Sequence, residues 1–362
     1  MSYAKSIEKI IGRGYAPDSE EALRLYQETP LPLLMHVADS IRQQLHPGKN
    51  VSWMVDMNVN ITNVCVVHCK FCNFCTGINS MDAYVLSDEE YLRKLEKLFA
   101  AGGNQLLIQG GLHPNLHLDF YTSLFTRLKK RFPELKLHAL GPPEIVHLSR
   151  LGKLSFRETL VALMQSGLDS LPGAGAEILS NRVRKLISPA KCSAEEWLAV
   201  MSEAHQLGLS TSATMMFGHL ESIEERIQHL IMLRDLQSKK PEGAAGFLAF
   251  IPWPFAMTNT RLLREHPSIQ PVNASEYLRM IAISRIVLTN IPHIQASWLT
   301  VGPETAALSL RGGADDLGSV MIEENVVSAA GVQYTLDASA MKKLIESNGF
   351  VPLLRNQHYH YL

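Results

Sequence analysis

From Trp53 onward the chain repeats one pattern: a short apolar run, a loop, then an amphipathic helix. Strand-length runs fall at 54–61, 106–108, 135–140, 168–171, 211–216, 247–251 and 294–298, with an abbreviated one at 316–318. A run such as Leu106-Leu107-Ile108 is apolar at every position, as a strand buried on both faces must be. Between the runs, Ser87-Asp88-Glu89-Glu90, Ser193-Ala194-Glu195-Glu196 and Ser222-Ile223-Glu224-Glu225 have the spacing of helix capping boxes. After the first of these, Tyr91, Leu92, Leu95, Leu98 and Phe99 form one apolar stripe. Strands alternating with helices pair in parallel, and about eight such units make a closed (β/α)8 TIM-type barrel. An open doubly wound sheet is the alternative. The barrel is preferred because the unusual loops all follow strands, and a barrel opens every such loop on one mouth.

The rest of the chain is arranged around that barrel. Residues 1–48 read as an N-terminal helical extension, with apolar residues at helical spacing and no visible chemistry. Residues 49–320 hold the barrel, and 321–362 form a C-terminal extension expected over the mouth or along the side. A formal net charge of −1 over 362 residues leaves no basic excess for nucleic acid. The apolar runs are too short and interrupted for a membrane span. The start lacks the apolar core of a signal peptide, so a cytoplasmic protein is expected.

Chemistry concentrates after the first strand, in Cys65-Val66-Val67-His68-Cys69-Lys70-Phe71-Cys72. Three thiolates this close on a short loop form a corner of an iron–sulfur or zinc site. Structural zinc wants a fourth ligand, which Cys75 or His68 could supply. A pair of ferredoxin-type clusters needs more cysteines than the five present, and an odd count without a secretory signal speaks against disulfides. Three cysteines on a 4Fe-4S cube leave one iron free for a small molecule.

The two spacings, the aromatic Phe71 before the last cysteine, and the place after a first strand resemble the signature of the radical S-adenosylmethionine enzymes. The resemblance implies a 4Fe-4S cluster on Cys65, Cys69 and Cys72, with S-adenosyl-L-methionine on the open iron. It also implies an external low-potential reductant of the flavodoxin or ferredoxin type. Phe71 and the Gly110-Gly111 pair are expected at the cofactor, the paired glycines meeting its methionyl amino group. Cys75 departs from the pattern and is read as a neutral thiol.

Other loops add candidates. Pro172-Gly173-Ala174-Gly175-Ala176-Glu177 offers a glycine-rich turn whose carboxylate, Glu177, suits a ribose diol. It lacks the third glycine of a dinucleotide fingerprint. Arg182 and Arg184 either hold the cofactor's carboxylate or are solvated helix charges. Gly218-His219-Leu220-Glu221 resembles the late family motif beside the adenine, so Gly218 is assigned to the cofactor. His219 and Glu221 are the catalytic candidates, His219 as proton acceptor. The apolar Ile251-Pro252-Trp253-Pro254-Phe255 suits an aromatic or sugar-bearing substrate. Arg279, His293, Thr300 and Arg311 are open choices for a substrate carboxylate.

With Glu323-Glu324-Asn325-Val326-Val327 added, these segments look like the cyclic dehypoxanthine futalosine synthase family of menaquinone biosynthesis. Aminofutalosine synthase and the tyrosine-using subunit of the deazaflavin chromophore synthase are its sisters. The resemblance implies a radical cyclisation of a nucleoside-like small molecule.

Overall fold

The computed structural model describes residues 3–13, 15–331 and 334–362. Strands β2 (Asp56–Asn60), β3 (Gln105–Gln109), β4 (Lys136–Ala139), β5 (Ser170–Leu171), β6 (Ser210–Phe217), β7 (Phe247–Pro254) and β8 (His293–Ile294) form one sheet in chain order. Every pair in it is parallel. Two more strands, β9 (Asp316–Ser319) and β10 (Val351–Leu354), flank β1 (Asn50–Met54) in a second sheet.

Backbone pairings join the two sheets. Only Val55 separates β1 from β2, so they run on as one rod. The segment of β9 lies beside that rod, pairing with β1 and bridging Met57 to Ile322. On its other side Gln295, just past β8, bridges to Asp316, and the Ala296 amide donates to the Asp316 carbonyl at 2.9 Å. The strands therefore curl into a ring, with the expected abbreviated strand at 316–318 as the closing element. The run expected at 294–298 is cut short because Trp298–Val301 turns helical.

Alternation decides what faces inward. Met57, Val59, Leu106 and Ile108 pack into the core, while Asp56, Asn58, Asn60, Gln105, Leu107 and Gln109 line a central cavity of about 430 Å³. Three helices, Tyr3–Arg13, Ser19–Glu28 and Leu31–Leu45, precede the strands. The latter two pack on the helix Ala274–Val287, where Tyr26 donates its hydroxyl to Glu276 at 2.6 Å.

The C-terminal segment goes further than over the mouth. Its first part does cross there, with Asn325 Nδ2 donating to Asn60 Oδ1 at 3.2 Å. The helix Ala338–Ser347 then carries the chain down, and β10 pairs with β1 from Asn50↔Val351 to Trp53↔Leu354. That register sets the tail beneath the opposite end of the ring. Arg355, fully buried there, donates Nε and Nη2 to Asp316 at 2.6 and 3.0 Å, and Tyr359 stacks on His293 at 3.7 Å. The open backbone edge of β1 and the buried carboxylate of Asp316 both lie at the base, which is why the tail ends there.

Candidate active site

The cysteine loop leaves β2 at the mouth and is anchored by main-chain bonds. Cys65 N donates to Thr76 O at 3.1 Å, Thr76 N to Asn63 O at 2.8 Å, and Val66 N to Leu112 O at 3.0 Å. His68 takes a left-handed conformation at φ 50°, turning the chain between the first two cysteines. Cys65, Cys69, Cys72 and Cys75 are all half-buried and all line the upper end of the cavity. The Cys75 thiol sits 3.8 Å from the Cys72 carbonyl and 3.9 Å from His68 Nδ1.

The paired glycines following β3 support this loop from below. A Cβ on Gly111 would stand 2.1 Å from the Val64 carbonyl oxygen, and one on Gly110 would stand 3.2 Å from that of Thr62. Glycine is needed at Gly111 because two backbones touch. The Gly110 and Gly141 amides also point at Glu144, a cavity-lining carboxyl that burial pushes up to about 7.

Across the mouth, Glu177 leaves β5 at φ 45° and accepts a hydrogen bond from Lys191 Nζ at 2.6 Å. Burial lowers the affinity of Lys191 for its proton, but Cys69 and Glu177 raise it more, so the ammonium stays charged. Burial pushes the free Cys69 thiol up to about 12.

Deeper in, the cavity wall is polar. Asp56 Oδ1, Asn58 Oδ1, Asn60 Nδ2 and Gln105 Oε1 are buried without a hydrogen-bond partner, although all four residues line the cavity. Polar side chains on a cavity wall suit an occupant that is itself polar. Trp253, Ile251, Leu107 and Leu299 provide apolar wall, and Arg355, Gln357 and Tyr359 the floor. His138, which burial pushes down to about 4, shares Nδ1 with the Ser170 hydroxyl at 2.7 Å just above that floor.

Two family profiles match the chain: the radical SAM superfamily over residues 59–233, and the CofH/MqnC C-terminal region over 244–362. A cyclic dehypoxanthine futalosine synthase of Streptomyces coelicolor is 42% identical over all of this chain and 90% of the relative. A 5-amino-6-(D-ribitylamino)uracil–L-tyrosine 4-hydroxyphenyl transferase of Methanosarcina acetivorans is 37% identical, covering 98% of this chain and 94% of the relative. An aminodeoxyfutalosine synthase of Thermus thermophilus is 36% identical, covering 97% and 94%. Among solved structures, methylornithine synthase superposes with a TM-score of 0.69 at 17% identity, covering 96% of both chains. The chain belongs to the radical SAM superfamily.

Membership implies a 4Fe-4S cluster and S-adenosylmethionine for this radical SAM enzyme, and the donor set fits such a cube better than one metal ion. Around a single zinc, thiolates about 2.3 Å from the metal would lie within about 4 Å of each other. Among the described residues, only His46, His293 and Asp315 bring three donor atoms within 4.8 Å, so no three of the thiols stand that close together. A cube spreads its ligands in that way. The His46 group lies at the base, where Asp315 also holds Arg285 at 2.5 Å.

In this radical SAM enzyme the remaining candidates divide. Cys65, Cys69, Cys72, Phe71, Gly110, Gly111 and Glu177 share the cavity wall. Gly218, His219, Glu221 and Arg182 are not among its lining residues. Glu221 accepts from the Gly218 and His219 amides at 2.6 and 3.0 Å and from Arg226 Nε at 2.8 Å, while His219 Nε2 meets the Met216 carbonyl at 3.1 Å. Both side chains are sealed off, so their polar atoms build a turn. Arg182 is held by Glu225 and the Leu220 carbonyl, and Arg184 by the Ala176 and Cys192 carbonyls. Of the four residues considered for a substrate carboxylate, only Thr300 lines the cavity. Arg279 donates to the Tyr26 and Thr29 carbonyls, Arg311 to that of Asn348, and His293 faces Asp315. Sequence reading missed Lys191, Glu144, Arg355 and the row Asp56, Asn58, Asn60 and Gln105. The last four were discoverable, since polar residues at every second position of a barrel strand face its axis. Among the described residues no helix is long and apolar enough to cross a membrane.

Proposed function

We propose that this enzyme converts dehypoxanthine futalosine to cyclic dehypoxanthine futalosine in menaquinone biosynthesis, by hydrogen abstraction at ribose C4′ and radical addition to the substrate's benzoate ring. The observation that carries it is the row of polar side chains Asp56, Asn58, Asn60 and Gln105 on the wall of one cavity that apolar Trp253 and Ile251 also line. A ribose with hydroxyls to donate and accept suits the first wall, and a flat ring suits the second. The full-length identity of 42% to a cyclase supports the same choice.

Cys65, Cys69 and Cys72 are the proposed cluster ligands, with Gly110, Gly111, Phe71 and Glu177 around S-adenosylmethionine. Bound there, the pair would supply a 5′-deoxyadenosyl radical. The chain's own work is placement: polar and apolar walls fold the substrate on itself, making the addition intramolecular. Residues 49–320 are the proposed catalytic barrel, with 1–48 and 321–362 as its outer packing and its cover and floor. Burial holds the Glu144 carboxyl near neutrality at the cavity wall. It can therefore take the proton that leaves, with one electron, when the ring regains aromaticity, the task expected of His219; the electron would pass to an oxidised iron–sulfur cluster held by the three cysteines.

The test is anaerobic incubation with dehypoxanthine futalosine, S-adenosylmethionine and a reductant. A product two hydrogens lighter, with 5′-deoxyadenosine formed alongside, is expected. 5′-Deoxyadenosine without that product would favour a sister reaction, aminofutalosine synthesis or tyrosine-dependent deazaflavin chromophore assembly, to whose relatives the chain is 36% and 37% identical.

A further inference from the structure

The outer face of the cysteine loop is built into two short helices. Lys70, directly after the second cysteine, donates its amide to the Ile187 carbonyl at 2.8 Å and accepts at its carbonyl from the Leu262 amide at 2.7 Å. Those bonds fasten the helices Asn181–Ile187 and Arg261–Glu265 to either side of the loop. Exposed residues there include Lys185 and Leu186 on the first helix, Pro189 and Ala190 just past its end, and Arg261 and Arg264 on the second. The one carboxylate on the two facing segments, Glu265, is shared between Lys70 Nζ at 2.7 Å and Arg261 Nε at 2.6 Å. Arg264 spends its guanidinium on the Asn259 carbonyl at 2.6 Å, which leaves its charge uncompensated. Four cations thus stand against one anion beside the cluster ligands, in a chain whose net charge is −1. The loop itself, from Cys65 to Thr76, contains no carboxylate.

We propose that this face, Lys70, Lys185, Leu186, Arg261 and Arg264, is the docking surface for an acidic one-electron carrier protein of the flavodoxin type. The assignment rests on the cluster reading of Cys65, Cys69 and Cys72. One electron leaves the reduced flavin and is taken up at the cluster, so flavin and cluster must come close. The cavity side of the cysteines faces the substrate, which leaves this outer face for the carrier. A few exposed apolar side chains among like charges suit a transient complex: complementary charge speeds encounter and orients the partner, and a small contact lets it leave.

The experiment compares wild type with the charge reversal K185E/R261E/R264E and the milder K185Q/R264Q. The probe is a flavodoxin, whose binding is measured in its oxidised form at low and at high salt. Formation of 5′-deoxyadenosine is then measured with reduced flavodoxin and separately with dithionite, which needs no docking. The reversal is expected to weaken binding at low salt at least tenfold and to abolish its salt dependence, with the neutral variant intermediate. Flavodoxin-driven 5′-deoxyadenosine should fall with the binding, while the dithionite rate stays within twofold of wild type. Unchanged flavodoxin affinity in both variants overturns the proposal. So does an equal loss with both reductants at normal iron content, because the face then serves the reaction itself. If wild type forms no 5′-deoxyadenosine with dithionite, the cluster reading fails, and the binding measurement still decides whether the face docks the carrier.

Discussion

Lys191 donates Nζ to Glu177 Oε1 at 2.6 Å while the same ammonium lies 5.2 Å from the centre of the Phe71 ring. One cation therefore ties the loop after β5 to the cysteine loop, and both side chains of the ion pair are at least nine-tenths buried. Removing one partner of such a pair strands a charge in a poor solvent, at a cost of about 3–5 kcal/mol, whereas removing both costs much less. Lys191→Met and Glu177→Gln are each expected to lower the denaturant midpoint strongly, and the double variant to recover most of the loss. A double variant as unstable as the two single losses combined would show that the residues act separately.

Gly111 and Gly110 separate two reasons for a glycine. At Gly111 a methyl would press on the Val64 carbonyl at 2.1 Å, so the cysteine loop must move. At Gly110 the nearest atom is 3.2 Å away, which a small shift relieves. Gly111→Ala is expected to lose most of its iron after anaerobic reconstitution, and Gly110→Ala to keep nearly all. The two variants holding equal iron would contradict the contact assigned to Gly111.

Cys75 shares the cavity end with the three proposed ligands and leans on the Cys72 carbonyl. If it is a neutral neighbour, Cys75→Ala keeps full iron content and still cleaves S-adenosylmethionine. Alanine at Cys65, Cys69 or Cys72 should lose both. Loss of both in Cys75→Ala would transfer the open coordination position to another site and end the ligand assignment.

What could be read beforehand followed from local rules. Capping boxes at Ser87, Ser193 and Ser222 started their helices as read, because the side chain and the amide that it satisfies are three residues apart. The order of the strands followed from their alternation with helices. Local spacing could not place side chains brought in from a distance. Arg355 reaches Asp316 only because β10 adds to the edge of β1, and Lys191 meets Glu177 across a loop. His219 and Glu221 lie outside the cavity lining for the converse reason. The turn they occupy follows a strand, as a site loop should, but its polar atoms satisfy one another and Arg226.

That turn gives a pH prediction. Burial raises the proton affinity of Glu221, but His219, Arg226 and the Gly218 amide outweigh it and hold the carboxyl at about 2, against an ordinary 4.5. A carboxylate whose pKa is lower folded than unfolded adds stability above the unfolded value, lost as pH falls through the folded one. The window is therefore 4.5 down to 2, and the contribution at neutral pH is roughly 3 kcal/mol. Glu221→Gln should be less stable than wild type by about that amount at pH 7, and the gap should shrink as pH falls from 4.5 and close only below pH 2 in urea titrations. Because neither Glu221 nor His219 lines the cavity, product formation per folded molecule should stay within twofold in Glu221→Gln and in His219→Ala. A tenfold loss of turnover with the fold intact would return both residues to the reaction.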